Sequence, residues 1–233
     1  MAVALGVASS ATAGAVSGQG TWETTLQGRD LDGNLATAEA YYDTALGITW
    51  LANANHADSR MDWYEANGWV GTLSFDGIGG WRLPTWTDLG PPDCNHHGFS
   101  GADCGFNMDV ASGEMVHMFY VTLANLAYYD TSGVGAQPGW GLGNSGPFEN
   151  LQADRYWTSE TSPGNVYSAI HFDFSTGEQY VTAKTALGNA ADQYAWAVHS
   201  GDVGVPIPEP GTVWMCAAGL IALGWAARRR ARA

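Results

Sequence analysis

Cys94-Asn95-His96-His97, with Cys104 shortly after, brings two thiols and two imidazoles into one short loop. Two thiolates and two imidazoles make a complete tetrahedral zinc set. The same cysteines can instead close a disulfide loop, worth about 2–3 kcal/mol by chain entropy. Adjacent histidines rarely ligate one ion together, and export, argued below from the chain ends, favours oxidation. The Cys94–Cys104 disulfide is therefore preferred over zinc. Asp30-Leu31-Asp32-Gly33-Asn34 imitates positions 1, 3 and 5 of a calcium loop. Leu35 and Tyr41 stand where such a loop needs Gly and Glu, so the segment reads as a turn. Calcium could still be gathered by carboxylates from elsewhere, although no local spacing marks that site. A nucleophile elbow, a P-loop and an H-E-x-x-H helix are all missing. His56, His117, His171 and His199 stand alone. Carboxylates are so numerous that finding a glycosidase-like pair carries no weight. The expectation is a chain with no catalytic residues and no resident cofactor.

The charge distribution narrows the partners. Of the 233 residues only 14% are charged. All 23 acids lie at or before Glu209, against Arg29, Arg60, Arg82, Arg155 and Lys184, so residues 1–209 carry −18. Such a body repels phosphate backbones, which excludes nucleic acid as a partner. It also argues against a large basic surface for sulfated sugars. Hydrophobic residues make 45% and aromatics 12%, with 11 Trp, enough ring area for a folded core.

The two ends read as address labels. Residues 1–15, MAVALGVASSATAGA, are small, apolar and uncharged, like the end of a secretory signal peptide. Ala13-Gly14-Ala15 fits the cleavage pattern, with Ala11-Thr12-Ala13 as a second choice. At the other end, Val205-Pro206-Ile207-Pro208-Glu209-Pro210 is a stiff extended linker. The uncharged segment 212–227 follows and would rise about 24 Å as a helix, short for a hydrocarbon core of about 30 Å. It contains Cys216, and Trp214 and Trp225 lie near its two ends, where rings favour the membrane interface. Arg228, Arg229 and Arg230 follow directly as a membrane stop, which places the body on the non-cytoplasmic side.

Pro-Glu-Pro, a short apolar helix and a terminal Arg cluster, in that order over residues 206–233, resemble the PEP-CTERM sorting signal. The resemblance implies recognition of Pro208, Glu209 and Pro210 by the membrane protease exosortase. It also implies an inner-membrane-anchored precursor, and then release to the cell surface or extracellular matrix of a Gram-negative bacterium.

Between the ends, residues 20–203 read as one α+β domain without repeats. Met115, Met118, Phe119, Leu123 and Leu126 line one face of a helix expected over 114–127. Ser59 is expected to cap a second helix from Arg60 to Asn67. Strands are expected at 48–51, 166–174, 179–182 and 194–199, with a hairpin turn at Ser175-Thr176-Gly177-Glu178. In the 166–174 run, apolar residues alternate with a period of two.

The order of blocks in this body resembles the Lcl C-terminal domain family over roughly residues 41–200. Tyr42-Asp43-Thr44-Ala45-Leu46-Gly47-Ile48-Thr49-Trp50-Leu51 opens it. Trp63 follows, then Gly80-Trp81-Arg82-Leu83-Pro84-Thr85, and later Tyr156-Trp157-Thr158-Ser159. The resemblance implies a C-type-lectin-like fold and a binding role, with exopolysaccharide as the candidate partner and no catalytic residues to transfer. Read as residues, Trp81 and Leu83 point to one side and Arg82 to the other. Arg82 is expected to pair with an Asp between two loops, and Thr85 or Thr87 to cap a short helical turn. Trp50, Trp81 and Trp157 are expected in the core. The function expected from sequence is a non-catalytic exported binding or structural protein. Its rivals are a calcium-assisted carbohydrate-binding module and a polysaccharide hydrolase.

Overall fold

The computed structural model describes residues 13–96 and 98–207. Residues 1–12 of the leader, His97, the Pro208-Glu209-Pro210 triplet, the 212–227 span and Arg228–Arg230 lie outside the described residues. Among the described residues no helix is long and apolar enough to cross a membrane.

The body has antiparallel sheets and few helices, an α+β arrangement. A six-stranded sheet contains β1 (Leu26–Asp30), β2 (Ala40–Asp43), β3 (Ile48–Leu51), β4 (Trp81–Arg82), β8 (Val198–Ser200) and β9 (Val205–Pro206). Its order is β4-β8-β3-β2-β1-β9. A three-stranded sheet runs β5 (Arg155–Thr161), β6 (Ser168–Asp173) and β7 (Glu178–Ala183). The expected strand at Ile48–Leu51 is present residue for residue, and all four of its side chains are buried. β-branched and aromatic residues suit a strand covered on both faces. The turn before it is held by Asp43, whose Oδ1 accepts the Ala45 and Leu46 N–H groups at 2.9 and 3.2 Å.

Aromatic rings join the two sheets. Trp50 meets Trp196 at 4.6 Å between centroids, and Trp196 meets Phe148 at 4.7 Å. Tyr156, Phe172 and Phe174 continue the cluster to Phe119. Trp50, Trp81 and Trp157 are all buried.

Several elements depart from the sequence expectation. After a short first helix, Trp22–Thr25 (α1), the second helix begins at Trp63, not Arg60, and runs to Thr72 (α2). Its cap is Asp62 rather than Ser59. Asp62 and Glu65 form a reciprocal capping box, which satisfies two end donors at once and so outcompetes a single hydroxyl. The helix expected over 114–127 stops early. Glu114–His117 (α3) is α-helical, and Met118–Thr122 widens to a π turn. Side chains from elsewhere capture the carbonyls at its end: Asn144 Nδ2 donates to Leu123 O at 2.8 Å, and Gln19 Nε2 to Ala124 O at 3.0 Å. Ala124 then takes φ +49°, and Leu126 emerges 46% exposed instead of joining the core face. The period-two reading of 166–174 is also incomplete, because five of the six residues of β6 are buried. A central strand packed on both faces has no polar side. Of the run 194–199, Val198 and His199 lie in a ladder, and Tyr194 makes a lone parallel bridge to Tyr156. No helical turn follows Thr85 or Thr87. The chain there is extended and bridges from Trp86 to Gly113.

Candidate functional site

The two most specific sequence blocks meet in one polar knot. Trp81 is buried and its indole N–H donates to Ile78 O at 3.0 Å. Leu83 on the same side is buried, while Arg82 turns the other way. Its guanidinium grips Glu114 with two bonds, Nη1 to Oε2 at 2.8 Å and Nη2 to Oε1 at 2.7 Å. The partner is thus a Glu, the first residue of α3, and not the Asp expected from sequence. Glu114 Oε2 also accepts the Thr85 N–H at 2.8 Å. Pro84 O accepts the Ser159 N–H at 3.0 Å, which ties the W-R-L-P-T block to the Y-W-T-S block. Next to it, Glu160 accepts the Trp86 N–H at 2.7 Å and the Ser159 hydroxyl at 2.6 Å. Burial pushes the Glu160 carboxyl above the usual range. Tyr156 and Trp157 are buried, with the Trp157 indole N–H donating to Met61 O at 2.9 Å. Every carboxylate oxygen in this knot is occupied by the fold itself.

The loop cysteines are joined as a Cys94–Cys104 disulfide with Cα atoms 5.5 Å apart. Zinc at these sulfurs is thereby displaced as a reading. The acidic turn behaves as one: Asp30 Oδ1 accepts the Asp32 and Gly33 N–H groups at 2.9 and 2.7 Å. Glu39 lies close to Asp30 and Asp32, but its Oε2 accepts the Leu31 N–H at 3.0 Å and its Oε1 the Thr37 hydroxyl at 2.7 Å.

A different surface gathers aromatic rings. Trp140, Tyr128, Tyr129 and Phe99 form a chain of rings with centroids 4.7, 4.7 and 5.0 Å apart, and Phe106 packs on Tyr129 at 5.0 Å. Trp140 is 42% exposed and Phe99 38%. Loop 126–141 builds most of this ledge by folding on itself. Tyr129 bridges to Gly135, and the Asp130 carboxylate accepts the Ser132 and Val134 N–H groups at 2.8 and 2.9 Å. Those bonds and the Ser132 hydroxyl hold the Asp130 carboxyl below its usual range. Gly133 has φ +83°, and a Cβ there would sit 2.6 Å from Phe99 Cε2, so only glycine admits the ring. Asn107 Nδ2 donates to Phe99 O and Tyr129 O at 2.9 and 2.8 Å, stitching the disulfide loop to the ledge. The Tyr128 N–H donates to Thr176 O at 2.8 Å, which seats the ledge on the β6–β7 turn.

β9 closes one edge of the larger sheet. Val205 and Pro206 are in register with Asp30 and Arg29 of β1. Arg29 makes a bidentate pair with Asp202 just upstream, at 2.6 and 2.9 Å. From this edge strand onward, residues 206–230 match the PEP-CTERM protein-sorting motif. The chain carries a PEP-CTERM sorting signal. The motif implies export, a membrane-anchored precursor and processing by exosortase to the cell surface. No curated protein and no solved structure matches the chain.

Sequence reasoning about this PEP-CTERM protein missed the ledge residues Phe99, Phe106, Tyr128, Tyr129 and Trp140. Their signal was aromatic residues inside glycine-rich, aperiodic loops, where no core face calls for them. The motif residues Trp81, Arg82, Leu83, Pro84, Thr85, Tyr156 and Trp157 come together, but inside the body and not on a free surface.

Proposed function

We propose that this PEP-CTERM protein is a non-catalytic surface or matrix protein that binds neutral polysaccharide on its aromatic ledge. The observation that carries this is the run of adjoining rings, open to solvent at Trp140 and Phe99, on a body of charge −18. Ring faces are electron-rich and pack against the C–H faces of sugars, while the acidic body repels sulfated or carboxylated chains. The non-catalytic part of the reading draws support from Glu114 and Glu160. Both acids lie in the polar knot, and all their oxygens accept bonds from the fold. Kinship with the Lcl C-terminal family and its C-type-lectin-like fold belongs to the same proposal. It rests on the convergence of the W-R-L-P-T and Y-W-T-S blocks at Pro84 and Ser159.

The test is affinity electrophoresis of the exported protein in gels containing neutral β-glucan, mannan or a sulfated polysaccharide, with and without EDTA. Retardation is expected in a neutral gel and unchanged by EDTA. A ring contact is worth about 0.5–1.5 kcal/mol, so Trp140→Ala and Tyr128→Ala should each weaken binding about 2- to 10-fold. Equal retardation of the double variant would refute the ledge. EDTA sensitivity would favour the calcium-assisted module, and new reducing ends would reveal a hydrolase.

A further inference from the structure

The sorting motif starts inside the folded domain. Its first matched residue, Pro206, is the second residue of β9 and faces Arg29 across the sheet edge. The Ile207 N–H then donates to Gly28 O at 3.2 Å, so β1 holds the chain up to the residue before Pro208. Ile207 also packs on β1: a Cβ on Gly28 would lie 3.7 Å from the Ile207 Cβ. Upstream, Gly204 has φ +87° and passes so close that a Cβ there would sit 2.7 Å from Asp30 O.

A protease reads its substrate as an extended segment through main-chain hydrogen bonds, the groups that β1 already engages along β9. Reach matters as well. Four residues separate Ile207 from Thr212, where the apolar segment begins, a span of at most about 17 Å. Freeing Val205–Ile207 lengthens that leash by about 10 Å. The latch is weak by construction. It is a two-residue edge strand, Val205 is 56% exposed, and Pro206 has no N–H to give.

We propose that β9 is a release latch: exosortase acts on the precursor after Val205–Ile207 leaves the β1 edge, and docking of β9 holds processing back. Cleavage then samples the undocked fraction, and its rate follows that population. The domain's own edge and the protease compete for one segment, and local opening of the edge sets the pace of sorting.

A disulfide across the latch tests this. The 3.7 Å separation between the Gly28 and Ile207 Cβ positions falls within the disulfide range of about 3.5–4.5 Å. The full-length chain carrying Gly28→Cys, Ile207→Cys and Cys216→Ala is expressed with exosortase and followed by pulse-chase. The cross-linked precursor should be processed at least tenfold more slowly than either single-cysteine variant. Six Gly/Ser residues inserted between Ile207 and Pro208 should restore processing with the cross-link in place. Ile207→Gly, which loosens the latch, should speed it. Wild-type processing of the cross-linked chain would overturn the proposal. Failure of the insertion to rescue would overturn it too, since the block would then lie elsewhere than in access to the motif.

Discussion

Replacing Arg82 tests whether the W-R-L-P-T block holds the fold. The Arg82 side chain is 28% exposed and Glu114 14%, so the pair sits between the surface and buried regimes. Surface pairs are worth about 0–1 kcal/mol, whereas breaking a buried pair costs about 3–5 kcal/mol. Arg82→Ala leaves Glu114 with only the Thr85 N–H and its place at the start of α3. Those contacts keep part of its charge compensated. Arg82 also loses a bond to Leu83 O at 3.0 Å and one to the Ser200 hydroxyl at 3.2 Å. A loss of about 1–3 kcal/mol follows, or roughly 2–10 °C in Tm for a domain of this size.

The order of variants is more telling than any single value. Glu114→Ala should cost more than Arg82→Ala, because it strands both the guanidinium and the Thr85 N–H. Arg82→Lys should recover only part of the loss, since an ammonium cannot make the two-pronged grip. The double variant should cost less than the two singles added together. Thermal unfolding of the exported protein, followed by near-UV circular dichroism, reads all four. If Arg82→Ala melts with wild type yet loses polysaccharide binding, the block is a ligand site and the structural argument fails.

Two further outcomes follow from the geometry. Cys94→Ser with Cys104→Ser should lower stability by about 2–3 kcal/mol in denaturant titration, and it should weaken glycan retardation because Phe99 lies inside that loop; unchanged retardation would detach the loop from the ledge. Burial, with Arg155 nearby, pushes the His171 imidazole down to about 3, so the unfolded chain binds a proton that the folded one refuses, and this contribution is complete above pH of about 6.5 and shrinks as pH falls toward 3, by roughly 2–3 kcal/mol at pH of about 4.5. His171→Phe should flatten that acid limb relative to wild type, and parallel curves between the two pH limits would contradict it.

Where the sequence was legible, one residue type had one physical use. Ile48–Leu51 is built from β-branched, aromatic and aliphatic residues and lies between two strands, so no competing element claims it. Thr176-Gly177 marks a turn because Gly177 sits at φ +75° with its N–H on Asp173 O at 2.7 Å. Where it was illegible, the deciding partner was distant. The helix after Glu114 has the apolar spacing to run on past Thr122. It ends because Gln19 and Asn144, about 100 and 20 residues away, take its last carbonyls. Periodicity carries no trace of either partner. The Glu114 partner of Arg82 was hidden for the same reason, since 32 residues separate them and Asp is the commoner acid nearby.

The aromatic ledge was hidden for a different reason. Sequence reading assigns rings to the core by default, and for Trp50, Trp81 and Trp157 that default is physically sound. Tyr128, Tyr129 and Trp140 stand in a loop with Gly133, Gly135, Gly139 and Gly141, and the glycines decide the outcome. A Cβ at Gly135 would meet the Tyr129 and Tyr128 rings at 2.7 and 2.8 Å, so the missing side chains let rings lie directly on backbone. Rings supported from below by backbone need not be fully buried from above, and Tyr128 and Tyr129 stay half-buried. The abundant glycine of this chain thus does more than punctuate loops. In loop 126–141 it lets aromatic residues pack on backbone outside the core, with Tyr128 and Tyr129 half-buried and Trp140 exposed.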